Sequence, residues 1–397
     1  MNKGEGKSLK ALSAVTFFNY AARGFTFPFI SLYLLHVGFT GTQIGIVLSA
    51  SAALRLVVPP LLNTFADQTG RHRQLFYGLV IGNSLATVGL VILTFSQWVL
   101  GAVVVVRDSL DTPSTSLLSQ LTITRLEQQG CDIYGRLRAW GSFGWAVTTM
   151  ISGAIFAVGG YFLLFVMASV MNIISLIFAP SLPKQTTDET LEKQKTDDKH
   201  SLKRPVGFYI LMLSWFLFFI GMSSIGGFMY PFFQQELGAT NAMIGILASV
   251  GALAEIPSMV VIDRMLKRIN IRTTLMLGMF GMASIWTVFT FLEGAFLLIP
   301  LMIIRGTFYT FQNVASTLLV SRISHPRNAA TNQALSQVTV PALAQLISAP
   351  IAGYIFDLYG PRVLLRLVAV MAIFAILILI SFRRTMAATP TESHTAI

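Results

Sequence analysis

Apolar residues run in long, nearly unbroken stretches along this chain, parted by short polar breaks rather than alternating with them. A helix needs about 20 mostly apolar residues to cross roughly 30 Å of hydrocarbon. Stretches of that size fall at 11–36, 42–63, 75–95, 98–120, 136–158, 161–180, 206–235, 242–263, 273–292, 295–321, 330–356 and 361–382. The pattern predicts an all-α membrane protein with twelve transmembrane helices. The first stretch is too long for a signal-peptide core and is interrupted by Asn19 and Arg23, so a retained helix without a cleavage site is expected.

Composition narrows the class. The 397 residues are 54% hydrophobic and 11% charged, with a mean hydropathy of +0.69. A soluble domain carries about 25% charged residues. An ordinary soluble enzyme, a disordered chain and a disulfide scaffold are therefore excluded, and Cys131 is the single cysteine. No nucleophile–base pair, metal cluster or phosphate loop is legible, so neither an enzyme nor a cofactor or metal site is expected.

The net charge of +11 follows topology rather than marking a nucleic-acid patch. With a cytoplasmic N-terminus, 22 of the 28 Lys and Arg fall in cytoplasmic segments, and only Arg362 and Arg366 fall on the other side. Arg23, Arg55, Arg107 and Arg305 lie inside spans. This bias places both termini in the cytoplasm and makes the lipid bilayer the partner, with no nucleic acid. The stretch 183–205 is rich in Lys, Asp and Glu and has no apolar run, which predicts a flexible cytoplasmic linker. It divides an N-terminal six-helix bundle, 1–182, from a C-terminal six-helix bundle with a short cytoplasmic tail, 206–397.

The halves echo each other. Ile44-Gly45-Ile46 followed by Ala53-Leu54-Arg55 answers Ile244-Gly245-Ile246 followed by Leu253-Ala254-Glu255 at an offset of 200. Phe27-Pro28-Phe29 answers Tyr230-Pro231-Phe232, Val106-Arg107 answers Ile304-Arg305, and Ile151-Ser152 answers Ile347-Ser348. Two repeated bundles point to a transporter with its site between them near the midplane.

The loop after the second span, Asn63-Thr64-Phe65-Ala66-Asp67-Gln68-Thr69-Gly70-Arg71-His72-Arg73, resembles the signature G-x-x-x-D-R/K-x-G-R/K-R/K of the major facilitator superfamily. Asn63 replaces the first Gly and Gln68 the first basic residue. Phe27-Pro28-Phe29, Ala53-Leu54-Arg55, Pro59-Pro60, Tyr134-Gly135-Arg136-Leu137-Arg138-Ala139-Trp140-Gly141-Ser142 and Ala254-Glu255 resemble the branch of sugar, nucleoside and phenylpropionate proton symporters. The resemblance implies the major facilitator fold and transport by alternating access. It also implies that Glu255, at the helix-8 position where the resembling sugar symporters carry a glutamate, joins substrate binding to protonation. The fifth span lacks the proline of the antiporter motif, which weighs against export.

Seven ionisable groups lie well inside spans: Arg23, Arg55, Arg107, Asp108, Asp111, Glu255 and Arg305. Each costs about 2.5–3.5 kcal/mol at mid-bilayer, so they are expected to face the bundle interior, pair or titrate. Arg305, Tyr309, Gln312 and Ser316 share one helical stripe, as do Arg107, Asp111 and Ser114. The Arg107 and Asp111 spacing fits a holding salt bridge as well as a functional pair. Glu255 is read either as a coupling carboxyl, as a substrate hydrogen-bonding group, or as a static partner of an arginine such as Arg55.

The reading is a proton-coupled symporter of a small organic solute. Asn19, Tyr20, Arg23, Arg107, Trp145, Arg305, Tyr309 and Gln312 are expected to bind substrate. Glu255, Asp108, Asp111 and Arg55 are expected in proton coupling, with the proton as the coupling ion. Asp67, Gly70, Arg71 and Arg73 form an expected cytoplasmic gate. Four arginines against three acids make a carboxylic, for example aromatic, acid the first expectation, and a sugar or nucleoside the second. Proton-driven efflux of amphipathic compounds is the alternative. A monomer in a bacterial cytoplasmic (inner) membrane is expected.

Overall fold

The computed structural model describes residues 3–129, 133–183, 204, 206–325 and 328–381. Cys131 and nearly all of the expected linker lie outside these. Helices lie over all the predicted stretches. The first comprises α1 (Lys3–Thr26) and α2 (Ile30–His36), parted at Pro28, which has no N–H to donate into the preceding turn. Then follow α3 (Gly41–Thr69), α4 (His72–Ile92), α5 (Gln97–Gln128) and α6 (Tyr134–Phe178). α6 covers two predicted spans and is broken at Gly159–Gly160, where Gly160 has a φ of +57° that favours glycine. The second half holds α7 (Val206–Gln235), α8 (Asn241–Met265), α9 (Ile271–Phe289) and α10 (Leu298–Ile323). α11 (Ala329–Ala334) passes through a π turn, Leu335–Thr339, into α12 (Val340–Tyr359), and α13 (Pro361–Ser381) ends the described chain.

Among the described residues, nine helical stretches are long and apolar enough to cross a membrane. α5 is not one of them, because Arg107, Asp108 and Asp111 sit in its middle. The buried charges expected there from the sequence are what lower its hydropathy.

Helices of each half pack mainly among themselves: α1 on α6 and α3 and α4 on α5, then α12 and α13 on α7 and α8 and α9 on α10. Two seams join the halves, α3 on α12 and α6 on α8. The seams are images of each other, two hundred residues apart. Thr40 and Thr240 cap α3 and α8, each accepting a backbone N–H at 3.2 Å. Ser49 donates to the Leu346 carbonyl at 2.6 Å, and Ser249 to the Ala146 carbonyl at 2.9 Å. A Cβ on Gly45 would strike the Ala349 carbonyl, and one on Gly245 the Thr149 carbonyl, so the backbones touch only through glycine. Gly153 and Gly353 play matching parts against Ala242 and Gly41, which sets the repeat register at 200 here rather than the 196 of the Ile-Ser words.

One apolar core runs through the seams, with Phe29, Leu34, Ile44, Leu48, Phe228 and Phe356 in a single cluster. Toward the Asp67–Arg73 loop the first half has a separate core of Leu12, Val15, Phe76, Val80, Leu121 and Leu137. The halves therefore share their core at the pole where α3 begins and α12 ends.

Candidate functional site

Between the halves lies a cavity of about 610 Å³, walled by α1–α3, α5, α6, α7, α10, the π turn and α12. Such a volume fits a solute of mono- to disaccharide or nucleoside size. Its charged wall comes from the first half. Arg23 Nε donates to Asp111 Oδ1 at 3.0 Å, and Arg23 also holds the Asp111 carbonyl at 2.6 Å and the Thr115 hydroxyl. Arg107 Nη1 donates to Asp108 Oδ1 at 2.9 Å, and its second nitrogen reaches the Thr26 hydroxyl. Arg107 thus pairs with the next residue and not with Asp111, one turn on, because Arg23 of α1 takes Asp111. The backbone beneath is fixed by Asn83, which donates to the Arg107 carbonyl at 3.0 Å and is itself held by Asn172 at 3.0 Å.

Arg55 is the remaining arginine of the wall. Its hydrogen-bond acceptor is the neutral side chain of Gln345 across the seam, while Asp108 and Asp111 act on it only at longer range. Its Nε is buried without a partner. Glu255 does not meet Arg55: the charges acting on it are those of Arg305 and Arg138. The same two arginines act on Tyr309, which lines the cavity. Arg138 also lies 4.3 Å over the Tyr20 ring, and Arg23 lies 5.3 Å from that ring centre. Counted among loop charges in the sequence, Arg138 sits in the first turns of α6, and the Tyr134–Ser142 motif was its only signal there.

The cavity brings together Arg23, Arg55, Arg107, Asp108, Asp111, Trp145 and Tyr309 of the expected residues. Asn19 and Gln312 are buried away from its lining, Gln312 against Gly278 of α9. Tyr20 lines a smaller hollow with Thr16, Ser119 and Arg138, and Arg305 and Glu255 stand on α10 and α8 beyond the cavity wall. Thr26, Ser31, Thr112, Ser223, Gln337 and Gln345 line the cavity and went unread, since neutral polar side chains barely disturb a hydropathy pattern. Phe27, at the break beside Pro28, lies with its ring centre 5.4 Å from that of Trp145, the two planes tilted by 57°, and adds an aromatic surface to the cavity. In the expected gate, Asp67 pairs with His72 at 2.7 Å and Gly70 closes α3 in the left-handed region. Arg71 is exposed, and Arg73 binds the Pro180 and Leu182 carbonyls at 3.4 and 3.3 Å.

Over residues 9–367 the chain matches the MFS_1 like family. It belongs to that family. Among relatives, it is 25% identical to a maltose permease of Geobacillus stearothermophilus over 272 residues, 68% of each chain. It is 21% identical to a xanthosine permease of Escherichia coli (strain K12), over 89% of this chain and 88% of the relative. A crystal structure of the nucleoside transporter NupG superposes with a TM-score of 0.76 at 17% identity, covering 98% of this chain and all of that one, which shows a shared fold. This MFS_1 like protein is therefore a multi-pass membrane protein of the major facilitator fold, a secondary transporter of small solutes and not an enzyme.

Proposed function

We propose that the protein is a proton symporter of the cytoplasmic membrane that takes up a neutral, polyhydroxylated solute, a sugar or nucleoside, by rocking its halves about the central cavity. The observation that carries this reading is the pairing of the wall. Asp111 and Asp108 are each held by an arginine, so the single positive charge in excess rests on Arg55 and is not shared among the arginines of the wall. What remains for a solute is a ring of hydroxyl and amide groups beside the Phe27 and Trp145 rings. Such a surface suits hydrogen bonding to hydroxyls with stacking of a sugar or base face. The names of the maltose and xanthosine permeases agree with that chemistry. A carboxylic acid is the second reading, favoured by Arg55, whose hydrogen-bond acceptor is an uncharged amide.

In this mechanism a proton neutralises Glu255 while solute fills the cavity, and loss of the proton hands the carboxylate to Arg305 and Arg138. Coupling requires that solute and proton bind the two facings differently. The positive-inside bias makes the pole of Gly41 and Tyr359 the outer one, so the described conformation is shut outside. The test is uptake of labelled maltose, xanthosine and uridine into membrane vesicles under an imposed proton gradient. An acid exterior is expected to stimulate accumulation. Glu255→Gln is expected to abolish that stimulation while solute exchange at equal pH survives. Lowered accumulation on expression would instead mark an exporter.

A further inference from the structure

Asp357, in the last turn of α12, reaches across the seam to the start of α3. It accepts three hydrogen bonds there, from the Gly41 N–H at 2.6 Å, the Thr42 N–H at 2.7 Å and the Thr42 hydroxyl at 2.7 Å. The first N–H groups of a helix lack partners within it and carry the positive end of its dipole. A Cβ on Gly41 would strike the Asp357 carboxylate and the Gly353 carbonyl, so glycine is what lets the carboxylate in.

The surrounding loop has a twin at the opposite pole. Asp357, Gly360 and Arg362 repeat Asp67, Gly70 and Arg73, with the arginine one place nearer. Both glycines have a positive φ, +81° at Gly360 and +63° at Gly70, although only Gly70 is left-handed helical. Both arginines tie their loop to its own half: Arg362 binds the Thr290 and Leu292 carbonyls at 2.9 and 2.8 Å and Glu236 at 3.0 Å, as Arg73 binds Pro180 and Leu182. What differs is the acid. Asp67 holds His72 of its own loop, whereas Asp357 holds the other half.

We propose that Asp357 is a latch, a positioning residue for transport whose grip on Gly41 and Thr42 keeps the pole where α3 begins closed, and which lets go when that pole opens. The inference rests on the alternating-access reading. A carboxylate on backbone N–H groups makes charge-assisted bonds about twice as strong as neutral ones, and at a water-exposed pole those bonds are exchangeable for water. Anchored by Arg362 and turned by Gly360, the loop holds the carboxylate in place for α3 to return to.

The test uses the full chain with Cys131→Ser and a reporter cysteine, Ser31→Cys, on the cavity wall. A membrane-impermeant methanethiosulfonate is applied to intact cells and, separately, to inverted vesicles. Asp357→Ala is expected to speed labelling from the Gly41 pole about fivefold and to slow labelling from the opposite side, as a shifted two-state equilibrium requires. Asp357→Asn and Thr42→Val, which keep side-chain volume, are expected to move both rates the same way by less, and they carry the proposal if Asp357→Ala does not reach the membrane. Rates that stay unchanged, or that rise together on both sides, overturn the latch. A parent protein labelled equally from both sides would instead overturn alternating access itself, and the latch with it.

Discussion

Arg23 shows how a buried charge is accommodated when its own helix offers no acid within a turn of it. Its side chain is 15% exposed and that of Asp111 27%, so both residues have left most of their water. Removing one partner strands the other, which costs about 3–5 kcal/mol when a pair is fully buried and less here. Arg23→Ala and Asp111→Ala are each expected to lower stability by about 1–3 kcal/mol, with the double variant recovering part of that loss. Thermal unfolding of the purified singles and double checks it, and strictly additive losses would show that the two do not act as a pair. The sequence announced that these charges are inside, because hydrocarbon forbids them elsewhere. It did not announce the partners. Spacing along one helix suggests Arg107 with Asp111, but Arg23 of α1 reaches Asp111 and leaves Arg107 to Asp108. Arg138 was hidden for the converse reason: a charge near a helix end reads as loop.

At the scale of elements, the seams depend on backbone contact. Gly45→Val places a methyl-bearing carbon into the Ala349 carbonyl, and overpacking of this kind costs about 1–3 kcal/mol. The variant is expected to be less thermostable and to favour the conformation in which α3 and α12 part. Gly78, on α4, has open space where its Cβ would be. Gly78→Ala is therefore expected to be neutral, or stabilising by up to about 1 kcal/mol through helix propensity. Melting both variants separates contact from propensity, and equal losses would contradict the seam. The helices themselves were legible because bilayer thickness imposes their length, and the glycine pair at 159–160 fell in the predicted gap between spans. The break of the first span at Pro28 was foreshadowed by the proline, whereas the π turn at Leu335–Thr339 left no pattern to read.

For the whole molecule, the repetition at 200 residues is the organising fact. Thr40, Gly45 and Ser49 do in one seam what Thr240, Gly245 and Ser249 do in the other. A pair of images around one cavity gives the halves a natural axis to rock about. Sequence words such as Ile-Gly-Ile caught part of this repeat. The serine and carbonyl partners escaped, since contact between halves has no signature in either half alone. The same holds for Asp357, whose role depends on a helix start more than three hundred residues away.

The central claim is that the two halves open one pole of the cavity as they close the other. Spin labels can read this directly in the Cys131→Ser chain. One pair goes at Trp98 and Phe296, exposed near the pole of Gly41, and another at Gln74 and Arg268, exposed at the pole of Asp67. Pulsed dipolar distances are then recorded with and without uridine or maltose, at pH 5.5 and 8. The account predicts opposite movement, with the first distance lengthening in the fraction of molecules where the second shortens. Distances that stay fixed under every condition, or that lengthen and shorten together, would contradict it.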